Sequence, residues 1–493
     1  MALDLDSYRE RAERFLEELD REYLSHLAGH KAELEIDAIY ERQADLFTRE
    51  AVEALRDATT AVNGDEGRRR RYLLAFAFDA HLGQATKREA EEIAGLEASL
   101  EVEVQGGPVA YRQVQIQLAN EPDAARRRAL DESRNQLLAE RINPLHLAAF
   151  ERTAELCRAL GWPSYAAAQA ELRGIDLPAL ALQTRALLQA TEGVYEGIVE
   201  PRLEAASLPP LAAAGREDVP RLLRAPELDA LFPRERLFDS FTATLAGLGL
   251  DLDAQANVHL DAESRPTKSP RAFCFPVEVP GEVYLMFAPV GGAEDYRALY
   301  HEGGHTEHYA NTDAALPFEF RHLGDNSVTE SFAFLLEHVT ESPAWMSRFL
   351  GADGIADAVA HARASKLLFV RRYAAKLDYE LELHGEAADL EHMPARYAEL
   401  VGDATRLRWP TQPWLDDVDG GFYVACYLRA WALEAHWRLA LEERYGERWF
   451  EEAEAGEWLR RLWAQGQRLA AGELLGEELG IELDFEVLGR EFA

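Results

Sequence analysis

Residues 298–312 read ALYHEGGHTEHYANT. Three histidines (His301, His305, His308) and two glutamates (Glu302, Glu307) fall within eight positions, around the adjacent Gly303 and Gly304. Tyr296, Leu299 and Tyr300 put apolar surface just ahead of them, and the spacing predicts a helix over Tyr296–Tyr309. Each glycine costs such a helix about 1 kcal/mol against alanine. A helix that tolerates two glycines among so many metal-capable side chains needs a reason.

His301-Glu302-Gly303-Gly304-His305 is an HExxH pattern. Positions i and i+4 of a helix share a face about 5–6 Å apart. Both imidazoles can therefore reach one Zn²⁺ at about 2.0–2.1 Å. Glu302 lies roughly 100° further round the helix. That suits a general base acting on a water at the metal better than a third ligand. His308 shares the histidine face, but the rise from 301 to 308 is about 10.5 Å, too long for one ion to hold both ends. It reads as a supporting neighbour.

The third ligand is expected from DNSVTESFAFLLEHVTES, 325–342, a second amphipathic helix with Asn326 or Ser327 as its N-cap. Glu330 and Glu337 lie two turns apart on one face, and Phe332, Phe334, Leu335 and Leu336 supply apolar surface. With His301 and His305, Glu330 completes a His₂Glu set for one Zn²⁺ per chain.

Outward from these helices, most of the 493 residues read as amphipathic helix, over 7–26, 36–60, 70–100, 110–140, 144–160, 176–206 and 235–248, and again from about 294 to the end. Arg68–Arg71 reads as a solvated helix start. ASLPPLAAAGREDVPR, 206–221, is the expected boundary between an N-terminal helical domain (1–205) and a catalytic domain (206–493). RAFCFPVEVPGEVYLMFAPV, 271–290, reads as two short strands joined by a turn. Its prolines predict a sheet edge, and an edge can take an extended peptide as an added strand.

Composition narrows the classes. A hydrophobic fraction of 47% and a charged fraction of 28% describe an ordinary globular chain. A net charge of −36 argues against nucleic acid and anionic membranes as partners. Three scattered cysteines, no apolar leader and no run of 18 apolar residues point to a cytoplasmic protein.

The pattern HExGHxxH, with Glu330 falling 25 residues after His305 and Glu337 seven further on, resembles the thimet oligopeptidase and oligoendopeptidase F family of zinc peptidases. RPTKSPRAFCFP (265–276), EVYLMFAP (282–289) and FVRRYAAKLDYELELHG (369–385) are similar to other parts of that family; RALGWPSYAAA (158–168) and LAAGELLGEELGIEL (469–483) match more weakly. HEGGH also looks like the carboxypeptidase Taq family, but TESFAF stands where that family has HESQ. The resemblance implies a mostly helical, bundle-like peptidase fold with a small sheet lining a deep substrate channel. It implies hydrolysis of short, extended peptides, with Glu302 as base and Glu337 and His308 in support. Tyr423 and Tyr427 would hold the oxyanion. Tyr284, Leu285 and Met286 would line the peptide on the 283–288 strand.

One departure is Asp417, in WLDDVDGGFYVACYLRAW (414–431), where the family has a histidine. A carboxylate cannot donate a hydrogen bond unless protonated. The alternatives are therefore a zinc carboxypeptidase, with Arg371, Arg372 or Arg429 reading the terminal carboxylate, and a peptide-binding relative without turnover. Gly304 falls on the family pattern and predicts close approach by a neighbour. Gly303 does not, and alanine there is expected to be mild.

Overall fold

The computed structural model describes residues 3–493 apart from 32, 61, 266, 270 and 352, so Pro266 and Pro270 of the 265–276 segment lie outside the described residues. The chain is mostly α-helical, with small two- and three-stranded sheets. Proline divides some of the expected long helices: Pro122 separates Val114–Asn120 from Ala124–Leu137, and Asp123 caps the second. Among the described residues no helix is long and apolar enough to cross a membrane.

Two compact units form, neither continuous in sequence. The first comprises 1–78, 229–356 and 429–484, and the second 79–228, 357–428 and 485–493. This grouping differs from a split at 205/206. The long helices Gly64–Ser99, Ile355–Leu383 and Tyr423–Tyr445 carry the chain across the divisions, and the Pro-rich 206–221 segment lies inside the second unit. The second unit packs the helices Leu177–Ala205, Ile355–Leu383 and Met393–Thr405 around Tyr195, Val199, Leu367, Tyr379, Tyr397 and Val401.

In the first unit, helix α1 (Leu5–Leu27) precedes α2 (Arg234–Gly247), strands β1 (Val258–Asp261), β2 (Phe273–Glu278) and β3 (Glu282–Met286), and helices α3 (Ala293–Ala310) and α4 (Asn326–Val339). The sheet order is β1-β3-β2. The expected hairpin is β2–β3, antiparallel, with Phe273 opposite Met286 and Phe275 opposite Tyr284. Pro276 sits on β2, an edge strand, as proline requires. One face of the hairpin (Phe275, Val277, Met286) packs on Tyr23, Leu24, Leu27 and Ala28. The hairpin also packs against α3.

This order corrects the expected substrate strand. β3 is central, parallel to β1 on one side and antiparallel to β2 on the other, so its ladder is full and no peptide can add to it. Leu285 and Met286 are buried, and the Tyr284 hydroxyl donates to Glu282 at 2.8 Å.

The arginine run is also more than a solvated helix start. Arg69 and Arg9 both bind Glu319, which is fully buried, at 3.2 and 2.6 Å. Burying that carboxylate requires such partners.

Candidate metal centre

Asp295, in the first turn of α3, accepts the N–H groups of Val290 and Gly291 at 2.5 and 2.6 Å, which ties the entry loop to the helix start. The Tyr300 ring meets Phe241 of α2 edge-on at 5.2 Å, and its hydroxyl lies 3.0 Å from Thr244 Oγ1. α4 is capped by Asp325 rather than by Asn326 or Ser327: its carboxylate accepts the Ser327 N–H at 3.0 Å. Asp325 also takes Arg429 at 2.8 Å and the Ala471 N–H at 3.0 Å.

The glycines let these helices close in. A Cβ on Gly304 would lie 2.6 Å from Ala333 Cα and 2.5 Å from the Phe332 carbonyl oxygen, so α3 and α4 touch backbone to backbone there. A Cβ on Gly303 would meet Phe241 Cε2 at 2.5 Å. Gly303 is therefore constrained too, and alanine there is not mild, since the Phe241 ring must shift.

This closeness brings His301, His305 and Glu330 together, with ligand atoms all within 4.8 Å of one another. Nε2 of His301 lies 3.4 Å and Nε2 of His305 3.5 Å from Glu330 Oε2. Ligands about 2.0–2.1 Å from a tetrahedral metal stand about 3.4 Å apart, and each imidazole stands at that spacing from Glu330. The other ring nitrogens are already held. His301 Nδ1 lies 2.9 Å from Glu337 Oε2, and His305 Nδ1 lies 2.8 Å from Thr329 Oγ1. Arg297 in turn holds Glu337 at 2.5 Å and Glu341 at 3.2 Å. In metal sites, partners of this kind fix the tautomer and the orientation of the imidazole.

The electrostatics agree. Burial disfavours a charged His301, but Glu330 and Glu337 outweigh it and raise its pKa to about 10. Burial pushes the Glu330 carboxyl up, and the two imidazoles overcome that and hold it well below the usual range. Where no ion is bound, a proton on His301 satisfies its carboxylate partners, and a cation competes with that proton.

Glu302 points elsewhere. Its Oε2 accepts the backbone N–H of Cys274, on β2, at 2.8 Å. His308 is fully buried against Phe332 (5.0 Å) and Tyr309 (5.3 Å). Burial and nearby His305 press its pKa down to about 3, so it is a neutral packing residue of the α3–α4 contact. The His301 ring meets Phe334 edge-on at 5.0 Å, and Phe334 stacks on Trp431 at 5.2 Å.

The first unit thus brings together His301, Glu302, His305, Glu330 and Glu337. Tyr423 and Tyr427 belong to the second unit, edge-to-face at 4.9 Å, with Tyr373 on Tyr427 at 5.5 Å. Asp417, in the same unit, receives Arg372 at 2.5 Å and the Tyr397 hydroxyl at 2.6 Å, with Lys376 at 3.5 Å. Burial pushes its carboxyl up, and Arg372 and Lys376 more than reverse this, so it is ionised and cannot donate. The arginines considered for a terminal carboxylate are engaged within the chain. Arg371 binds the Ala404 and Leu188 carbonyls and Glu192, Arg372 binds Asp417, and Arg429 binds Asp325 and Ser327.

Sequence reasoning missed Thr329, Arg297 and the Cys274 N–H. Thr329 precedes Glu330, and Arg297 lies four residues before His301, one turn back; either position could have been searched for partners. A main-chain N–H carries no letter. No protein-family model matches this chain, and no curated protein matches it.

Proposed function

We propose that the chain is a zinc-dependent peptidase that cleaves short, extended peptides internally, in the manner its resemblance to the thimet oligopeptidase and oligoendopeptidase F family implies. The observation that carries this reading is the convergence of His301, His305 and Glu330, each imidazole Nε2 3.4 or 3.5 Å from Glu330 Oε2, with Glu302 next to His301 in the chain. Zinc held there would polarise a peptide carbonyl and acidify a water. Glu302 takes the proton from the attacking water and passes it to the leaving amine. Glu337 and Thr329 keep the imidazoles aimed. Ionised Asp417 takes no part in proton transfer. Three cysteines without a disulfide support a reducing, cytoplasmic setting.

The test is zinc content together with cleavage of a quenched fluorescent peptide library, with Glu302→Gln as control. One zinc per chain, internal cuts, and a control that keeps its zinc but loses activity are expected. Bound zinc with no cleavage sinks the peptidase reading in favour of a binding protein. Release of one C-terminal residue at a time favours a carboxypeptidase.

A further inference from the structure

β2 has a strand partner on one side only. In an antiparallel pair, successive residues turn their N–H and C=O alternately toward the partner and away from it. Cys274 belongs to the outward set: it stands opposite Leu285, but its N–H goes to Glu302 Oε2 at 2.8 Å. The next outward residue, Pro276, has no N–H. Between Phe273 and Val277 the rim of the sheet therefore has one outward donor, and the proposed catalytic base occupies it. A cavity of about 390 Å³ opens beside this bond, lined among others by Ala272, Phe273, Phe287, Ala298, Leu299 and Glu302. A peptide lying on the rim has room there for a side chain.

We propose that the Cys274 N–H is handed over when a peptide binds: a carbonyl of the extended substrate replaces Glu302 as its acceptor, and the released carboxylate oxygen turns to the reaction. The proposal rests on the peptidase reading above. It makes Cys274 a positioning residue that acts through its main chain. It ties the availability of the base to the presence of a peptide backbone. It also leaves the rim a single main-chain donor between Phe273 and Val277, because Pro276 has none, although the outward carbonyls remain acceptors.

The experiment compares the affinity of one fluorescein-labelled peptide, chosen from those the wild-type chain cleaves, for Glu302→Gln and Glu302→Ala, each with and without Cys274→Pro. Glutamine leaves an acceptor on the N–H, and alanine leaves the N–H open. Glu302→Ala is expected to bind about tenfold tighter than Glu302→Gln, with the gap closing to about twofold or less on the Cys274→Pro background. Proline at 274 removes no β2–β3 ladder bond, because that N–H is not in the ladder. If the proline variant does not fold, peptides with one carbonyl at a time replaced by CH₂ give the same answer, since a single position should abolish the gap. Equal affinity of the Ala and Gln chains, or a gap no position abolishes, overturns the handover while wild-type cleavage still stands. A wild-type chain that cleaves no peptide overturns both.

Discussion

In the second unit Asp417 is enclosed by Arg372, Lys376 and Tyr397; in the first, Glu330 is enclosed by His301 and His305. Both carboxylates, Glu330 buried and Asp417 half-buried, are held well below their usual pKa. The difference lies in the cations. Arginine and lysine carry permanent charge, and with Lys376 also 3.0 Å from Asp419, two cations face two aspartates. Glu380 beside them is raised to about 8 by burial and is largely neutral at pH 7, which keeps that balance. Imidazoles are cations only while protonated. The second cluster is thus neutralised by its own side chains, whereas the first is neutralised by something exchangeable, a proton or a metal ion. The same reasoning explains why Asp417, standing at a histidine position of the resembled family, does not imitate that histidine.

Breaking the exchangeable cluster should have the largest effect. Glu330→Gln removes the anionic ligand; zinc content should fall from one per chain toward none, and peptide cleavage by about 10³-fold or more. Retention of both would mean that the two imidazoles alone hold the ion. Breaking the permanent cluster should act on stability instead. Asp417→Asn strands Arg372, while Lys376 keeps Asp419, and should cost about 3 kcal/mol in denaturant unfolding, with zinc content unchanged. A variant of normal stability and lost activity would place Asp417 in the reaction after all. Thr329→Val, which removes the His305 partner, should weaken zinc about tenfold in a competition titration and leave the metal-free melting temperature nearly unchanged.

The smallest effect sharpens the contrast through pH. Glu380 binds its proton more tightly folded than unfolded, so between about 4.5 and about 8 the unfolded chain holds fewer protons and stability falls as pH rises. Glu380→Gln removes that loss. Its melting temperature relative to wild type should climb from pH 5 to pH 9, and a flat difference would show that burial does not hold the proton.

The parts of this site that follow from local geometry were legible in the chain. The imidazole pair depends only on the helical repeat, and the hairpin on two apolar runs around Pro280-Gly281. Glu330 was reached only by seeking a third ligand on a second amphipathic helix, because nothing local says that α4 lies on α3. What brings them together is Gly304, and its backbone-to-backbone contact with Ala333 is a tertiary fact. The place of β3 in the centre of the sheet was hidden for a similar reason: its parallel partner, β1, lies more than twenty residues upstream and carries no turn signal linking the two. Gly303 was misjudged because Phe241, the ring that needs the space, lies on α2, about sixty residues away. The N–H of Cys274 could not be read at all, since every residue but proline has one.

The ring stack behind His301 makes the centre visible to light. Phe334 touches the imidazole on one side and the Trp431 indole on the other. A coloured ion such as Co²⁺, seated between the two histidines and Glu330, would lie two ring contacts from that indole. Trp431 emission should dim as the ion enters and recover when a chelator withdraws it. Occupancy then becomes an optical reading taken in the dark of catalysis, with no substrate present.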